Sequence, residues 1–238
     1  MKLGTNLQAL RALHGNMTQE KLAERMGVSR QTISKWETGE ACPELDKLLE
    51  LTRVFSCTLD ALLREDLSAQ ADYLSPVSLV TVPAFTMASH AVISTHPEDD
   101  VQLILRDWAS RSGLADRPEP LRMIGWDFPF LSVEQQNRFG MRGYEAAWIL
   151  PDGFTPRCEG LRICSQPAAR YAKITVRDPF CAAFDRIPKG YQALLACPET
   201  DYVRESRGGT LLPCFEEVYQ TNGETVMDIC LLASRPGR

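Results

Sequence analysis

The stretch TQEKLAERMGVSRQTISKWETG, residues 18–39, constrains the chain most, because it predicts two short helices joined by a tight turn. Thr18 can accept a backbone N–H as the N-cap of the first helix. Gly27 ends that helix, since glycine adopts the left-handed conformation at little cost. Ser29 is placed to cap the second helix. The sequence therefore predicts two consecutive helices with only a few residues between them.

The second helix has one apolar side and one side rich in hydrogen-bonding groups. Ile33 and Trp36 are three residues apart and are predicted to face inward. The side chains left outside are those of Arg30, Gln31, Thr32, Ser34 and Lys35. Arg and Gln can make two hydrogen bonds to a base edge, Ser and Thr can contact bases or phosphates, and Lys neutralises phosphate charge. This mixture favours a helix that enters the major groove of DNA; the alternative is the solvated face of an ordinary amphipathic helix.

Three further amphipathic helices are predicted around this pair. Residues 3–14, LGTNLQALRALH, place leucines on one face before Gly15 breaks the helix. The stretches ELDKLLELTRVF and TLDALLR carry apolar residues at helical spacing after Pro43. Five helices within the first 66 residues can enclose one small core.

The order of these features resembles the Xre (Cro/C1-type) family of bacterial helix-turn-helix transcriptional regulators. The resemblance covers roughly residues 3–66 and rests on the stretch 18–39 followed by Pro43 and LDALL. It implies that Gln19 contacts a DNA phosphate, and that Trp36 and Glu37 are mainly structural. The positions that the resemblance assigns to bases and adjoining phosphates are Arg30, Gln31, Thr32, Ser34 and Lys35.

The charge of the chain bears on how such a domain binds DNA. The whole chain has a net charge of −5, and residues 1–66 hold nine Lys and Arg against ten Asp and Glu. DNA-binding domains are more often basic. We therefore expect specific contacts and dimerisation to supply much of the affinity for double-stranded DNA, and we predict a homodimer.

Composition excludes several other classes. No stretch approaches the roughly 20 apolar residues of a membrane span, and the N-terminus lacks the apolar core of a signal peptide. The expected compartment is therefore the cytoplasm, with no membrane partner. The eight cysteines include no C-x-x-C pair and the three histidines have no metal-ligand spacing, so no metal is predicted. Mostly buried free thiols are expected, with redox sensing by a cysteine as the alternative.

The rest of the chain predicts a linker and a second domain. Residues 67–78 are polar and small and are predicted to link a DNA-binding domain, residues 1–66, to an effector domain, residues 79–238. From LVTVPAFTMASHAVIS onward the order strand, helix, strand, strand occurs twice. The fold class is therefore multidomain: an all-α five-helix domain followed by an α+β domain of two such repeats.

Some details of the second domain are predicted from local patterns. GLRICSQPAARYAKITV is predicted as two paired strands around a Pro-Ala-Ala turn, and residues 134–140 as a turn region. The stretch DPFCAAFDRIPKGYQALLAC, residues 178–197, is predicted as one helix. The residues expected on its apolar side are Phe180, Ala183, Phe184, Ile187, Tyr191 and Leu194.

This second region resembles the gyrase-inhibitor-like (GyrI-like) small-molecule-binding domain. The similarity is carried by RMIGWDFP, YEAAWILP, QPAARYAKITVRDPF and EEVYQ, over roughly residues 76–236. It implies a cleft lined by aromatic residues, with an acidic residue that meets cationic, lipophilic ligands. Glu217 best fits that acidic position, and Glu216 is the alternative, because a slip of one residue exchanges the two faces of a strand.

The residue types agree with that implication. A carboxylate among aromatic rings is costly unless a partner arrives, so a cationic ligand would gain charge pairing and cation–π attraction. The alternative is that the rings are ordinary core and that Glu217 is solvated at an edge. The predicted ligand-binding residues are Trp126, Tyr144, Trp148, Phe215, Glu217 and Tyr219.

We therefore expect a DNA-binding transcriptional regulator whose C-terminal cleft binds a small lipophilic or cationic effector, without cofactor or catalysis. One alternative is a GyrI-like hydrolase or sequestering protein tethered to DNA, since the resemblance also includes members that use a tryptophan and a glutamate. The chain offers Trp126, Trp148 and Glu217 for that role, but no Ser–His pair, metal set or glycine-rich phosphate loop. A protein that binds only other proteins is a further alternative.

Overall fold

The structure is a computed structural model that describes residues 2–197, 199–200 and 211–233. The described residues form two compact units. The first contains residues 2–80, the described part of 170–200, and residues 220–233. The second contains residues 81–169 and 211–219. The predicted domain boundaries at residues 66 and 79 stay a prediction.

The N-terminal part of the first unit is helical, as predicted. Its helices are α1 Leu3–Leu13, α2 Gln19–Met26, α3 Arg30–Thr38, α4 Leu45–Val54 and α5 Leu59–Arg64. The predicted caps are confirmed, because Thr18 accepts the backbone N–H of Lys21 and Ser29 accepts that of Thr32. Gly27 has φ 61°, the left-handed conformation that ends α2. The inward sides share one core that includes Leu7, Leu22, Met26, Ile33, Trp36, Leu51 and Leu62.

A buried asparagine joins the first and last of these helices. Asn6 on α1 is fully buried, and its Nδ2 donates to the backbone oxygens of Leu62, at 2.9 Å, and Glu65, at 3.0 Å. These carbonyls at the end of α5 lack partners within the helix, so the amide satisfies them. Asn6 Oδ1 accepts the backbone N–H of Leu67 at 3.0 Å, where a 3-10 turn over Leu67–Asp72 begins.

The α+β part contains the predicted strand, helix, strand, strand order twice. The elements are β1 Ser78–Val82, β2 Phe85–Ser94, α6 Pro97–Ser112, β3 Arg122–Asp127, α7 Val133–Asn137, β4 Arg142–Leu150, β5 Arg162–Gln166, β6 Ala169–Arg177, α8 Ala183–Leu195, β7 Cys214–Thr221 and β8 Glu224–Leu232. The first repeat is β2-α6-β3-β4 and the second is β6-α8-β7-β8. The predicted fold class is therefore confirmed.

The second unit is an antiparallel arrangement of strands with a helix on one face. Its strands pair in the order β5-β2-β4-β3-β7. Helix α6 packs on β2 and β4 and buries an apolar stripe against them. That core includes Ala88, Val101, Leu105, Trp108, Ala146, Trp148 and Leu150. The other face of the same strands carries the candidate ligand site.

Within the first unit, the segment before β1 is hydrogen-bonded to both α1 and β6. The backbone N–H of Val77 donates to the Leu13 oxygen at 2.8 Å, which is at the end of α1. The backbone N–H of Ser75 donates to the Thr175 oxygen on β6 at 2.9 Å. Residues 74–77 thus tie the helical part of this unit to a strand of the second repeat.

The predicted pairing of β5 with β6 is wrong. Strand β5 pairs with β2, and β6 pairs with β8. Only Pro167 and Ala168 separate β5 from β6, and a two-residue hairpin needs a positive φ at one or both of those positions. Pro holds φ near about −65° and neither residue adopts a positive φ, so the chain leaves one strand and enters another instead of turning back.

The helix predicted over residues 178–197 begins later than expected. Residues 179–182 form a 3-10 turn after Asp178, which has φ 48°, and α8 begins at Ala183. The buried side of α8 is formed by Gly190, Ala193 and Leu194, of which only Leu194 belongs to the predicted apolar side. Phe184, which is predicted to lie on the apolar side of this helix, is 98% exposed. The predicted turn region at 134–140 also contains the short helix α7.

Helix α6 has 16 residues. It begins with Pro97 and has three acidic residues in its first turn, where the helix dipole favours negative charge.

Among the described residues, no helix combines the length and the apolar character that a membrane span requires.

A histidine at the end of α1 is held in its neutral form. The ring of His14 packs edge-on against Phe55, and its Nδ1 lies 2.7 Å from the backbone oxygen of Leu10. Its Nε2 is buried and has no hydrogen-bond partner among the described residues. Burial lowers the pKa of His14, against the Leu10 hydrogen bond, and the charge of Arg25 lowers it further.

This environment predicts a loss of stability in acid. Between the lowered pKa of folded His14 and about 6.5, the value for an unfolded histidine, the unfolded state binds more protons. The free energy of unfolding should therefore fall as the pH is lowered from 7 through this window. In His14→Gln the slope against pH should be smaller. Urea unfolding at several pH values measures both slopes, and equal slopes would contradict a neutral buried His14.

Candidate DNA-binding surface and ligand site

Helix α3 presents most of the predicted DNA-contacting side chains outward. Gln31 and Lys35 are exposed, one helical turn apart on the same side, and Arg30 is exposed beside them. Arg30 Nε forms an ion pair with Glu20 Oε1 at 2.8 Å, in which both side chains are exposed. Such a pair contributes little stability, so Arg30 can leave it for a phosphate or a base at little cost.

Two predicted contacts are less exposed than the others. Thr32 and Ser34 are half-buried, and the Thr32 hydroxyl lies 2.9 Å from Ser29 Oγ at the cap of α3. Gln19, at the start of α2, is also half-buried and donates through Nε2 to Glu37 Oε2 at 2.8 Å. The second N–H of that amide is not used by this bond. The DNA-contacting role of all six residues stays a prediction.

Glu37 forms a buried ion pair beneath the exposed side of α3. Arg11 on α1 donates through Nε to Glu37 Oε1 at 2.6 Å and through Nη2 to Oε2 at 3.0 Å. Arg11 Nη1 also donates to the backbone oxygen of Met17 at 2.6 Å. Gln19 completes the set of donors to Glu37. The carboxylate therefore joins α1, α3 and the start of α2, and fixes the angle at which α3 is presented.

Glycine allows α1 and α3 to approach closely at this point. A Cβ added to Gly4 on α1 would lie 2.3 Å from the backbone oxygen of Glu37. Backbone atoms cannot move away as the end of a flexible side chain can. Gly4 and the Arg11–Glu37 ion pair therefore both maintain the contact between these two helices.

In the second unit, the aromatic residues Tyr144 and Trp148 of strand β4 pack beneath helix α6. Tyr144 and Trp148 lie on the α6 face, and Trp148 Nε1 donates to the backbone oxygen of Leu105 at 2.8 Å. This hydrogen bond satisfies the buried indole, as is usual for tryptophan. The six predicted ligand-binding residues therefore do not form one cluster, because Tyr144 and Trp148 lie in the core on the far side of the sheet from Trp126 and Glu217.

The face opposite α6 carries two carboxylates and a tryptophan. Trp126 on β3 pairs directly with Glu145 on β4, and Ile124 pairs directly with Glu217 on β7. Directly paired residues share a face, with Cβ atoms about 4.5–5.5 Å apart. Side-chain alternation along β7 places Phe215 and Tyr219 on this face too. The acidic face is the surface formed by Glu145, Trp126, Phe215 and Glu217.

Each carboxylate of the acidic face is nearly buried and paired with an arginine whose head is exposed. Arg122 donates through Nε and Nη2 to the two oxygens of Glu217, both at 2.7 Å. Arg162 on β5 donates through Nη2 to Glu145 Oε1 at 2.6 Å. The side chains of Glu217 and Glu145 are 13% and 9% exposed, against 59% for Arg122 and 67% for Arg162. Each acid is therefore nearly buried, while the side chain of the arginine that pairs with it is exposed to solvent.

The alternative acid, Glu216, points to the other face. It pairs with Gly125 on β3, and its Oε2 lies 3.4 Å from the Tyr144 hydroxyl. A Cβ on Gly125 would lie 2.3 Å from that hydroxyl oxygen, so glycine makes room for the tyrosine to cross β3. Burial, followed by the charge of Glu216, raises the pKa of Tyr144, which keeps the phenol protonated. Glu216 therefore belongs to the α6 side of the sheet.

Sequence reasoning missed Glu145 and Arg162. The signal was present in the stretch YEAAWIL, where a single charged residue interrupts an otherwise apolar strand. A carboxylate in such a strand is buried only when a partner is available. The partner could not be found locally, because Arg162 is on a strand that reaches Glu145 across β2.

The cysteines do not form disulfides within the described residues. Burial raises the pKa of Cys57 and of Cys197 to about 11. Both are therefore thiols at neutral pH, a form that reacts slowly with oxidants. Among the residues that the structure describes, no group of three or more His, Cys, Asp and Glu side chains is placed to hold a metal ion.

Comparison with known proteins assigns the N-terminal domain. Residues 7–62 match the helix-turn-helix family HTH_3. An HTH-type transcriptional regulator of Methanocaldococcus jannaschii is 43% identical over 54 residues, which are 23% of this chain and 80% of that protein. One from Archaeoglobus fulgidus is 40% identical over 58 residues, 24% of this chain and 81% of that protein. Through this domain the chain belongs to the family of helix-turn-helix transcriptional regulators.

Another similar protein is the HTH-type transcriptional activator BcrR of Enterococcus faecalis. The two chains are 46% identical over 63 residues, which are 26% of this chain. The match spans 30% of the length of BcrR, so it concerns the helix-turn-helix domain.

Two solved structures match this chain at low sequence identity. EcmrR in a complex with DNA has a TM-score of 0.45 and 11% identity, over 91% of this chain and 99% of that one. SAV2435 bound to tetraphenylphosphonium has a TM-score of 0.39 and 10% identity, over 66% of this chain and 93% of that one.

The buried pair beneath α3 predicts a large effect of a single substitution. Glu37→Leu leaves the Arg11 guanidinium without its carboxylate, and the free energy of unfolding should fall by about 3–5 kcal/mol. The double variant Arg11→Leu/Glu37→Leu should recover part of that loss, because no charge is left unpaired.

Urea unfolding measures these differences. The matched control is Asp60→Ala, which removes the carboxylate of the exposed Arg64–Asp60 pair and should leave stability close to that of the wild type. An unchanged midpoint for Glu37→Leu would show that the pair does not hold α1 and α3 together.

Proposed function

We propose that the protein is a sequence-specific DNA-binding transcriptional regulator that acts as a homodimer and whose acidic face binds a small, lipophilic cation. The DNA-binding part of this proposal rests on the packing and exposure of α3. The buried ion pair between Glu37 and Arg11 holds this helix against α1, and the opposite side of the helix exposes Arg30, Gln31 and Lys35.

These exposed side chains suit double-stranded DNA. The amide of Gln31 can make two hydrogen bonds to adenine, and the guanidinium of Arg30 can make two to guanine. Lys35 supplies charge for a phosphate. One such helix covers only a half-site, so a second copy of the chain is needed for a full operator. A near-neutral N-terminal domain gains specificity in this way without strong binding to all DNA.

The chemistry of the acidic face favours a lipophilic cation. Both carboxylates are nearly buried and each is paired with an exposed arginine, so a cation that replaces a guanidinium there keeps the buried charge paired. Trp126 lies beside Glu145, and Phe215 is buried on the same face, so a cation there also meets ring surfaces. Binding alone accounts for regulation when the ligand has unequal affinity for two states of the protein, and no covalent step is needed.

Selection from random duplex DNA tests the DNA-binding function. The purified protein should enrich a short site with two-fold symmetry. Gln31→Ala should weaken binding to that site by about 1–3 kcal/mol and relax the preference at one position of each half-site, because a bidentate base contact is lost.

The matched control is Gln136→Ala, since Gln136 is an exposed glutamine on α7, outside the helices of the N-terminal domain. This variant should bind the selected site as the wild type does. Binding that only falls with salt, with no enriched sequence, would contradict operator recognition.

A further inference from the structure

The two arginines of the acidic face are held in different ways. Arg122 donates two hydrogen bonds to Glu217, one to each carboxylate oxygen, which is the strongest arrangement for a guanidinium and a carboxylate. Arg162 holds Glu145 through one nitrogen, while its Nε lies 3.4 Å from Ser89 Oγ, at the far limit of a hydrogen bond. The Arg122 pair is therefore firm, and the Arg162 pair is the weaker of the two.

Arg162 is also free to move away from Glu145. It lies on β5, the last strand in the order β5-β2-β4-β3-β7, and it reaches across β2 to β4. Its side chain is 67% exposed, so a guanidinium that leaves the carboxylate becomes fully hydrated with little rearrangement. Glu145 cannot do the same, because its side chain is 9% exposed and its strand is central.

We propose that Arg162 is an intramolecular competitor that occupies the cation site at Glu145, so that an incoming cation must displace it to bind. Glu145, rather than Glu217, is then the carboxylate that receives the ligand. The inference rests on the proposed effector-binding function. It adds that Glu145 is the carboxylate that binds the cation and that Arg162 determines which cations can bind.

The competition determines which ligands bind. A small hydrated cation offers Glu145 no more than the guanidinium already does. A lipophilic cation gains contact with Trp126 as well, so it can replace Arg162 with a net advantage. If Glu145 is paired with Arg162 about nine-tenths of the time, the apparent affinity of the ligand is lowered about 10-fold.

Titration calorimetry with tetraphenylphosphonium tests the competition, because this cation is lipophilic and cannot donate a hydrogen bond. Arg162→Met should bind it about 10-fold more tightly than the wild type. Arg162→Lys keeps a competing charge and should bind nearly as the wild type does. Arg157→Met removes a similarly exposed arginine, which pairs with Asp116, and should leave the affinity unchanged.

Two further variants identify the acid. Glu145→Gln should bind at least about 10-fold more weakly than the wild type, since the charge pairing is lost. The double variant Arg162→Met/Glu145→Gln should bind as weakly as Glu145→Gln alone. Wild-type or weaker affinity in Arg162→Met, or tight binding in the double variant, would overturn the inference. Circular dichroism and urea unfolding establish that each variant is folded.

A second measurement separates failure of the inference from failure of the proposed function. Methylguanidinium should raise the melting temperature of Arg162→Ala but not that of the wild type or of Arg162→Ala/Glu145→Gln. If this rescue occurs while no variant binds tetraphenylphosphonium, Arg162 does occupy a cation site and the effector class is wrong. If the wild type binds tetraphenylphosphonium and neither effect of Arg162 is seen, the competition is wrong and the effector class stands. Absence of both binding and rescue overturns both.

Discussion

The alternation of side chains along β4 determines which face of the second unit holds the core under α6 and which face holds the buried acids. Tyr144, Ala146 and Trp148 point toward α6 and build the core that holds this helix. Glu145, one residue out of phase, points to the opposite face and meets Trp126 across the strand pair. Because the period of a strand is two residues, these assignments are linked. A shift of one residue would place Glu145 under α6 and move two aromatic rings to the acidic face.

In the helical domain the corresponding constraint is a buried charge. Glu37 accepts hydrogen bonds from Arg11 and Gln19 beneath the exposed side of α3. A buried ion pair of this kind adds little net stability over apolar packing, but breaking it is costly, so it favours one arrangement of the helices over others. The same unit includes residues 74–77, which bond to α1 and to β6, so the helical domain and strand β6 are joined by backbone hydrogen bonds.

Much of the helical domain follows from local sequence, whereas the acidic face does not. Caps at Thr18 and Ser29 and the left-handed Gly27 depend on residues within one helical turn, so their pattern was sufficient to predict them. The pairing of β5 with β2 and the Arg162–Glu145 contact join residues that are distant in the chain, and no local period encodes them. The side of Phe184 was mispredicted, because the buried side of a helix is determined by the elements that pack on it and not by its apolar residues alone.

We propose that a cation bound at Glu145 changes DNA binding by α3. The most direct test is the affinity for the selected operator, measured with and without tetraphenylphosphonium, for the wild type and for Glu145→Gln. The cation should change the operator Kd of the wild type and leave that of Glu145→Gln unaltered, because the coupling requires this carboxylate. An operator Kd that is the same with and without the cation in the wild type, or an equal change in both proteins, would contradict it.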